Sequence, residues 1–292
     1  MNMIEYYKKH LQLINAQFEP IKHDDAMVAD VYRIIKPDTT QLILKICVRE
    51  KDYLRENYYL TLLADKIPVP KIIATVKPTP DIPGAILMEC LPGNIVSLHE
   101  LTASLAYEMG RVLALIHSNR TEQYGDLTKP STLTSDPLLY FSQKFEEHFN
   151  ECTEHLPQEL LQKCQDYYHT HEMLLNSVDG PCITHLDYRP GNIVAYNGKL
   201  QGVIDWSTGR SGFAQEDFIF IEYDNAQNQA HKKDFINGYA STRPVPDYKE
   251  LIKLLSINKA LGTLGFLLKK DRLKKYPKLY TYHRTFLENS FK

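Results

Sequence analysis

The chain has 292 residues, enough to bury a large core in one or two domains, and its 34 Lys and Arg against 36 Asp and Glu leave it near neutral. That balance argues against a global field aimed at nucleic acid or a membrane surface, and no apolar run approaches the roughly 18 residues of a membrane span. The five cysteines lie far apart without a C-x-x-C, so neither a zinc site nor a disulfide framework is indicated, and the expected location is the reducing cytoplasm.

The opening stretch MNMIEYYKKHLQLI reads as an amphipathic helix without the apolar core of a signal peptide. Next, VYRIIK and QLILKICV are β-rich and separated by PDTT, which predicts a hairpin. YLRENYYLTLLADK then has helical spacing, with Tyr53, Glu56, Leu60 and Leu63 on one face. Pro68 and Pro70 force extended backbone in IPVPKIIATV. A further strand, AILMEC, runs into LPGN, where Pro92 and Gly93 end it and a linker begins.

Beyond that linker the pattern turns helical. SLHELTASLAYEMGRVLALIHS predicts one long helix, with Ser97 as its cap and Glu100 placed for a capping box. Two more helical stretches fill about 136–178, and the chain is helical again from Gln215 onward. Between them, two short strands flank Asn197-Gly198, a hairpin turn signal. Strands followed by helices give an α+β reading with two lobes, 1–91 and 92–292.

That last hairpin carries the polar residues that ask for a chemical explanation. His185, Asp187 and Asn192 follow H-x-D-x-x-x-x-N, and Asp205 ends the next strand in VIDW. Phosphoryl transfer from a nucleotide needs such parts: one carboxylate to take the acceptor's proton, and an amide oxygen with a second carboxylate to hold magnesium. It also needs a lysine for the phosphates and a glutamate to position it. Lys45 lies inside the apolar strand LILKICV, and Glu56 shares its helix face with Leu60 and Leu63. Each charge would be costly alone, so each explains the other.

Taken in order, these motifs resemble the aminoglycoside phosphotransferase and choline kinase family. HLDYRPGNIV is similar to its catalytic loop, GVIDWS to its metal segment, and RENYYLTLLADKIPVPKII to its helix followed by V-P-x-P. AILMECLPG resembles its hinge, LALIHS its L-H helix end, and EDF at 216–218 the acidic turn after the metal strand. The resemblance implies a bilobal, protein-kinase-like fold with a small β-rich N-terminal nucleotide-binding lobe and a larger helical C-terminal catalytic and acceptor-binding lobe. It implies ATP (or GTP) and Mg2+ as cofactors, Asp187 as the base, Asn192 and Asp205 as metal ligands, and Lys45 with Glu56 as the phosphate pair. Backbone groups of Glu89 and Leu91 would meet adenine, with Met88 behind it.

Three departures stand out. Leu186 replaces the family's usual glycine after His185. The first hairpin turn, HDDAMVAD, has no glycine, so any loop over the phosphates is not the Gly-rich kind. Arg189 lies inside the catalytic loop, where it could contact the transferred phosphate or pair with an acid such as Asp217.

The expected partner is a small-molecule hydroxyl acceptor, with no nucleic acid or membrane. Glu146, Glu147, Glu151, Glu154 and Glu159 form a run without Lys or Arg, which would suit a cationic acceptor such as an aminoglycoside but also describes an ordinary solvated helix face. The basic tail LLKKDRLKKYPK points the other way. A metabolic kinase of the choline, homoserine or fructosamine type and a non-catalytic nucleotide-binding pseudokinase remain alternatives. A protein kinase is disfavoured by the absence of G-x-G-x-x-G, D-F-G and A-P-E.

Overall fold

The computed structural model describes residues 3–21, 29–223, 230–269 and 272–292. Most of the glycine-free turn HDDAMVAD, at 23–28, and the centre of the basic tail, at 270–271, lie outside the described residues. By packing, the chain forms two compact units. One contains Met1–Ile116, His185–Gly209 and Ala230–Arg243, and the other His117–Thr184, Arg210–Gln229 and Pro244–Lys292. This division differs from a single cut between 91 and 92, because the chain leaves the first unit and returns to it twice.

The first unit is built on five antiparallel strands in the order β1-β2-β3-β5-β4: β1 Gln17–Pro20, β2 Ala29–Ile35, β3 Gln41–Cys47, β4 Ile72–Val76 and β5 Gly84–Glu89. The predicted hairpin is β2–β3, with Ala29 opposite Cys47 and Ile35 opposite Gln41. Strand period two decides what each face of β3 carries. Leu42, Leu44 and Ile46 enter one apolar cluster with Tyr7 of α1 (Met3–His10), while Lys45 turns to the opposite face. Helix α2 (Glu50–Leu63) covers that face and buries Tyr53, Glu56, Leu60 and Leu63, as the spacing predicts.

The predicted long helix is two pieces. Ser97 and Glu100 do form a capping box, yet it closes only a 3-10 turn at Leu98–Glu100. The helix itself, α3 (Ala103–His117), starts afresh at Thr102, whose hydroxyl accepts from the Leu105 N–H at 3.2 Å. A second S/T start signal inside the pattern therefore wins over the first. A three-stranded sheet of β6 (Asn94–Ile95), β8 (Ile193–Tyr196) and β9 (Lys199–Val203) completes the unit. Its β8–β9 turn is the predicted Asn197-Gly198, with φ of 50° and 74°.

In the second unit, α4 (Pro137–Asn150), α5 (Gln158–His171) and the helices Ile252–Leu268 and Pro277–Asn289 close around an apolar cluster that includes Phe141, Phe145, Leu161, Leu254 and Leu261. Asp136 caps α4 by accepting from the Leu138 N–H at 2.8 Å, and Pro137 occupies the first turn. Two strands the sequence did not announce, β7 (Cys182–Thr184) and β10 (Arg210–Gly212), pair antiparallel beside this cluster. Three residues each, they are too short for a period to register. No described helix is long and apolar enough to cross a membrane.

Candidate active site

In the first unit, the two charges that the sequence paired do meet. Lys45 Nζ lies 2.8 Å from Glu56 Oε2, with the Glu56 side chain 2% exposed. A third partner joins them: Lys45 Nζ also lies 2.9 Å from Asp205 Oδ1. Burial works against the lysine's charge, but Asp205 and then Glu56 more than offset it, so the ammonium holds its proton more tightly than a free lysine. Burial likewise pushes the Glu56 carboxyl up, against the pull of Lys45 and of the Trp206 N–H.

Asp205 reaches Lys45 because the backbone there is left-handed, with φ 64° and ψ 66°, a conformation Asp tolerates better than most residues. Its Oδ1 also accepts from the Ser207 hydroxyl at 2.9 Å. Burial raises its carboxyl, yet Lys45 and then Ser207 pull it well below the usual carboxylate range. Some 39% of the Asp205 side chain stays exposed, so an anchored, ionised oxygen pair is open to a ligand. Next to it, Trp206 is fully buried, stacked on Tyr59 at 6.0 Å and tilted against the His185 ring at 4.5 Å, with its indole N–H on the Val203 carbonyl.

The catalytic-loop motif is held from within by His185. Its Nε2 lies 3.0 Å from the Ile204 carbonyl, which can only accept, so Nε2 carries the proton. Nδ1 is then the acceptor for the Asp187 N–H at 3.3 Å. His185 thus ties the start of the loop to the strand that delivers Asp205, a role its place in the motif did not reveal. Between them, Leu186 takes φ 63°, which is why glycine is the usual residue here. The next side chain, Tyr188, is buried and donates to the Met109 carbonyl of α3 at 2.8 Å.

Asn192 closes the loop. Its Nδ2 donates to the Asp187 carbonyl and to Asp187 Oδ2, both at 2.8 Å. Those acceptors fix the amide's orientation, so Oδ1 faces the other way. The Asn192 carbonyl in turn accepts from the Ile204 N–H at 2.9 Å, which sets Asn192 beside the approach to Asp205. Arg189 lies against the same carboxylate, its Nε 3.4 Å from Asp187 Oδ2.

The hinge residues lie at the end of β5. Met88 is 5% exposed and opposite Ile43 of β3. The Glu89 N–H donates to the Lys71 carbonyl at 3.0 Å, so that donor is spent within the fold. Leu91 packs against Gly202, where a Cβ would come within 2.4 Å of its Cδ1. Without a side chain at Gly202, the Leu91 end can settle against the β8–β9 hairpin there.

Residues 23–248, most of the chain, match the model of the phosphotransferase enzyme family. The chain belongs to that family. Its members' chemistry makes this protein a small-molecule kinase, transferring phosphate to a hydroxyl. Among solved structures, one similar protein is a thermostable mutant of aminoglycoside phosphotransferase APH(4)-Ia in ternary complex with AMP-PNP and hygromycin B. It has 10% identity, TM-score 0.72, and 99% of this chain covered against 98% of that one. ADP-bound aminoglycoside phosphotransferase APH(2'')-Ib gives 17%, 0.67, 98% and 99%. Spectinomycin phosphotransferase APH(9)-Ia, in complex with ADP and spectinomycin, gives 15%, 0.62, 94% and 92%. These likenesses establish the α+β kinase-like fold. No curated protein matches.

In the second unit of this phosphotransferase, the acid run is not a bare wall. Glu151 is paired with Lys269, and Glu159 with Lys163 at 2.7 Å. Glu146, Glu147 and Glu154 are exposed. The acidic turn at 216–218 is buried and spent on structure. Glu216 takes Lys144 Nζ at 2.6 Å and the Tyr140 hydroxyl at 3.1 Å, and Asp217 lies 3.1 Å from His117 Nε2.

Proposed function

We propose that this phosphotransferase moves the γ-phosphoryl group of ATP, or GTP, to a hydroxyl of a small molecule, with Asp187 as general base. The observation that carries the proposal is the Lys45 ammonium held at once by Glu56 and Asp205, on the same unit as the Asp187–Asn192 loop. In this reading Lys45 binds the α/β-phosphates and Glu56 aims it. Asp187, oriented by Asn192, accepts the hydroxyl proton as the acceptor oxygen attacks. Met88 backs the base, while the Glu89 carbonyl and the Leu91 N–H offer it an acceptor and a donor.

The donor set fits magnesium. Asp205 is ionised and partly open, and Asn192 turns an amide oxygen away from Asp187; both are hard oxygens, and phosphate oxygens would complete the shell. When bound, the metal neutralises charge on the phosphates.

For the acceptor, an aminoglycoside-like cation is supported by similar structures holding hygromycin B, gentamicin and spectinomycin. A second reading, a metabolic acceptor of the choline, homoserine or fructosamine type, is favoured by the lysines that neutralise Glu151 and Glu159. The test is a phosphate-transfer screen with Mg-ATP over aminoglycosides, choline, amino alcohols, macrolides and sugars, with Asp187→Asn as control. Transfer that needs Asp187 supports the proposal. Tight Mg-ATP binding with no transfer to any acceptor would favour a non-catalytic nucleotide-binding module instead.

A further inference from the structure

The RPGN turn of the catalytic loop holds a cation in a shaped position. Arg189 has its Nε 3.4 Å from Asp187 Oδ2, with 32% of its side chain exposed. Its guanidinium folds back over Gly191: a Cβ on Gly191 would lie 2.3 Å from Arg189 Nη1 and 3.1 Å from its Cζ. Gly191 does not have a positive φ, so backbone strain does not explain the glycine. The space left by its missing side chain is filled by the guanidinium.

We infer that Arg189 is a catalytic residue that meets the charge of the transferring phosphoryl group, and that Gly191 exists to seat it. The inference rests on the proposed phosphotransfer at Asp187. There, a bond forms between the acceptor oxygen and the γ-phosphorus. The bond from phosphorus to the β-bridging oxygen breaks, its electron pair leaves with ADP, and the hydroxyl proton goes to Asp187. An acceptor oxygen bonded to Asp187 lies about 3 Å from the carboxylate, and the phosphorus it attacks about 3–3.5 Å beyond. A guanidinium in contact with that carboxylate is therefore within reach of the equatorial phosphoryl oxygens, over which the transition-state charge is spread. Its planar fork of N–H donors suits them better than a point charge would. A group placed this way acts on the transition state more than on bound nucleotide.

The test is calorimetric and needs no acceptor. Mg-AMP-PNP represents the ground state, and Mg-ADP with fluoroaluminate the planar phosphoryl group. Arg189→Gln should weaken the fluoroaluminate complex about tenfold or more, and AMP-PNP by less than about threefold. Gly191→Ala displaces only the flexible end of a side chain, so it should fold. It should weaken the fluoroaluminate complex in the wild type and add nothing in an Arg189→Gln background. Equal losses for both ligands, no loss, or additive effects of the two substitutions would overturn the inference and leave Arg189 as a structural counter-ion of Asp187. So would a wild type that binds AMP-PNP but gains nothing from fluoroaluminate over ADP alone. A wild type that binds neither ligand overturns the phosphotransferase mechanism itself, and this inference with it.

Discussion

Leu186 sits at φ 63° between the histidine that ties the loop and the aspartate that the loop presents. A left-handed conformation costs an L-residue roughly 1–2 kcal/mol, part of which glycine returns as extra freedom in the unfolded chain. Leu186→Gly should therefore raise unfolding stability by about 1 kcal/mol, read as a higher urea midpoint at unchanged m. A lower midpoint would mean that packing of the leucine side chain outweighs the strain. At the neighbouring position, Asp187→Asn removes the proton acceptor but keeps the shape. Turnover should fall about 100-fold or more while Mg-AMP-PNP affinity stays within a few-fold of wild type; parallel loss of both would place Asp187 in nucleotide binding instead. The Lys45–Glu56 pair was legible in the sequence because each member breaks a local rule, Lys45 in an apolar strand and Glu56 on an apolar helix face. The tie from Lys45 to Asp205 was not, because it depends on a left-handed turn at a non-glycine residue. Nor was the tautomer of His185, which only its partners across the loop define.

At the scale of elements, β3, α2 and the β8–β9 hairpin share one ammonium, and the sharing is uneven. Without Glu56, Lys45 still has Asp205 at 2.9 Å; without Lys45, the fully buried Glu56 loses its only counter-ion among the hydrogen bonds described for it. Breaking a buried pair from one side typically costs about 3–5 kcal/mol. Lys45→Met should fall in that range, whereas Glu56→Gln should cost clearly less, with both measured by urea unfolding. Equal costs would show that Asp205 gives Lys45 no independent support, and coupling between the two substitutions in a double-mutant cycle checks that the pair is direct. Elements with a clear period or a turn signal were legible in advance: β2–β3, α2, α4 and the Asn197-Gly198 hairpin. The start of α3 was misjudged because two capping signals stand five residues apart, Ser97 and Thr102, and only tertiary packing chooses between them. β1, β7 and β10 are edges or pairs of three or four residues, whose pairing is set by distant chain.

Across the whole molecule, a boundary read along the chain cannot anticipate that residues 185–209 and 230–243 pack with the first 116. Long-range return of this kind leaves no local mark on composition. Global stability, by contrast, carries a marker that the sequence does not show: two histidines packed into the helical unit, His283 buried and His148 half-buried. Burial pushes the His283 imidazole down to about 4, with Lys259 adding to the effect, and burial followed by Lys144 lowers His148 as well. Both therefore stay neutral in the folded protein at neutral pH. Their unfolded value is about 6.5, so as pH falls below it the unfolded chain binds protons that the folded chain refuses. Stability is complete above about 6.5 and declines as pH drops through the window toward 4. Each such histidine contributes up to about 1.4 kcal/mol per pH unit, or about 2 kcal/mol for His283 between pH 6.5 and 5. That interval lies above the ordinary carboxylate range, so Asp and Glu with ordinary values contribute little to it, and the raised Glu56 is common to wild type and variant and drops out of their difference. Urea unfolding at pH 5.0, 5.75, 6.5 and 7.5 should show this slope in the wild type, and His283→Gln should flatten it by about one histidine's share. An unchanged slope in the variant would mean that His283 takes its proton in the folded state, and that burial does not hold it neutral.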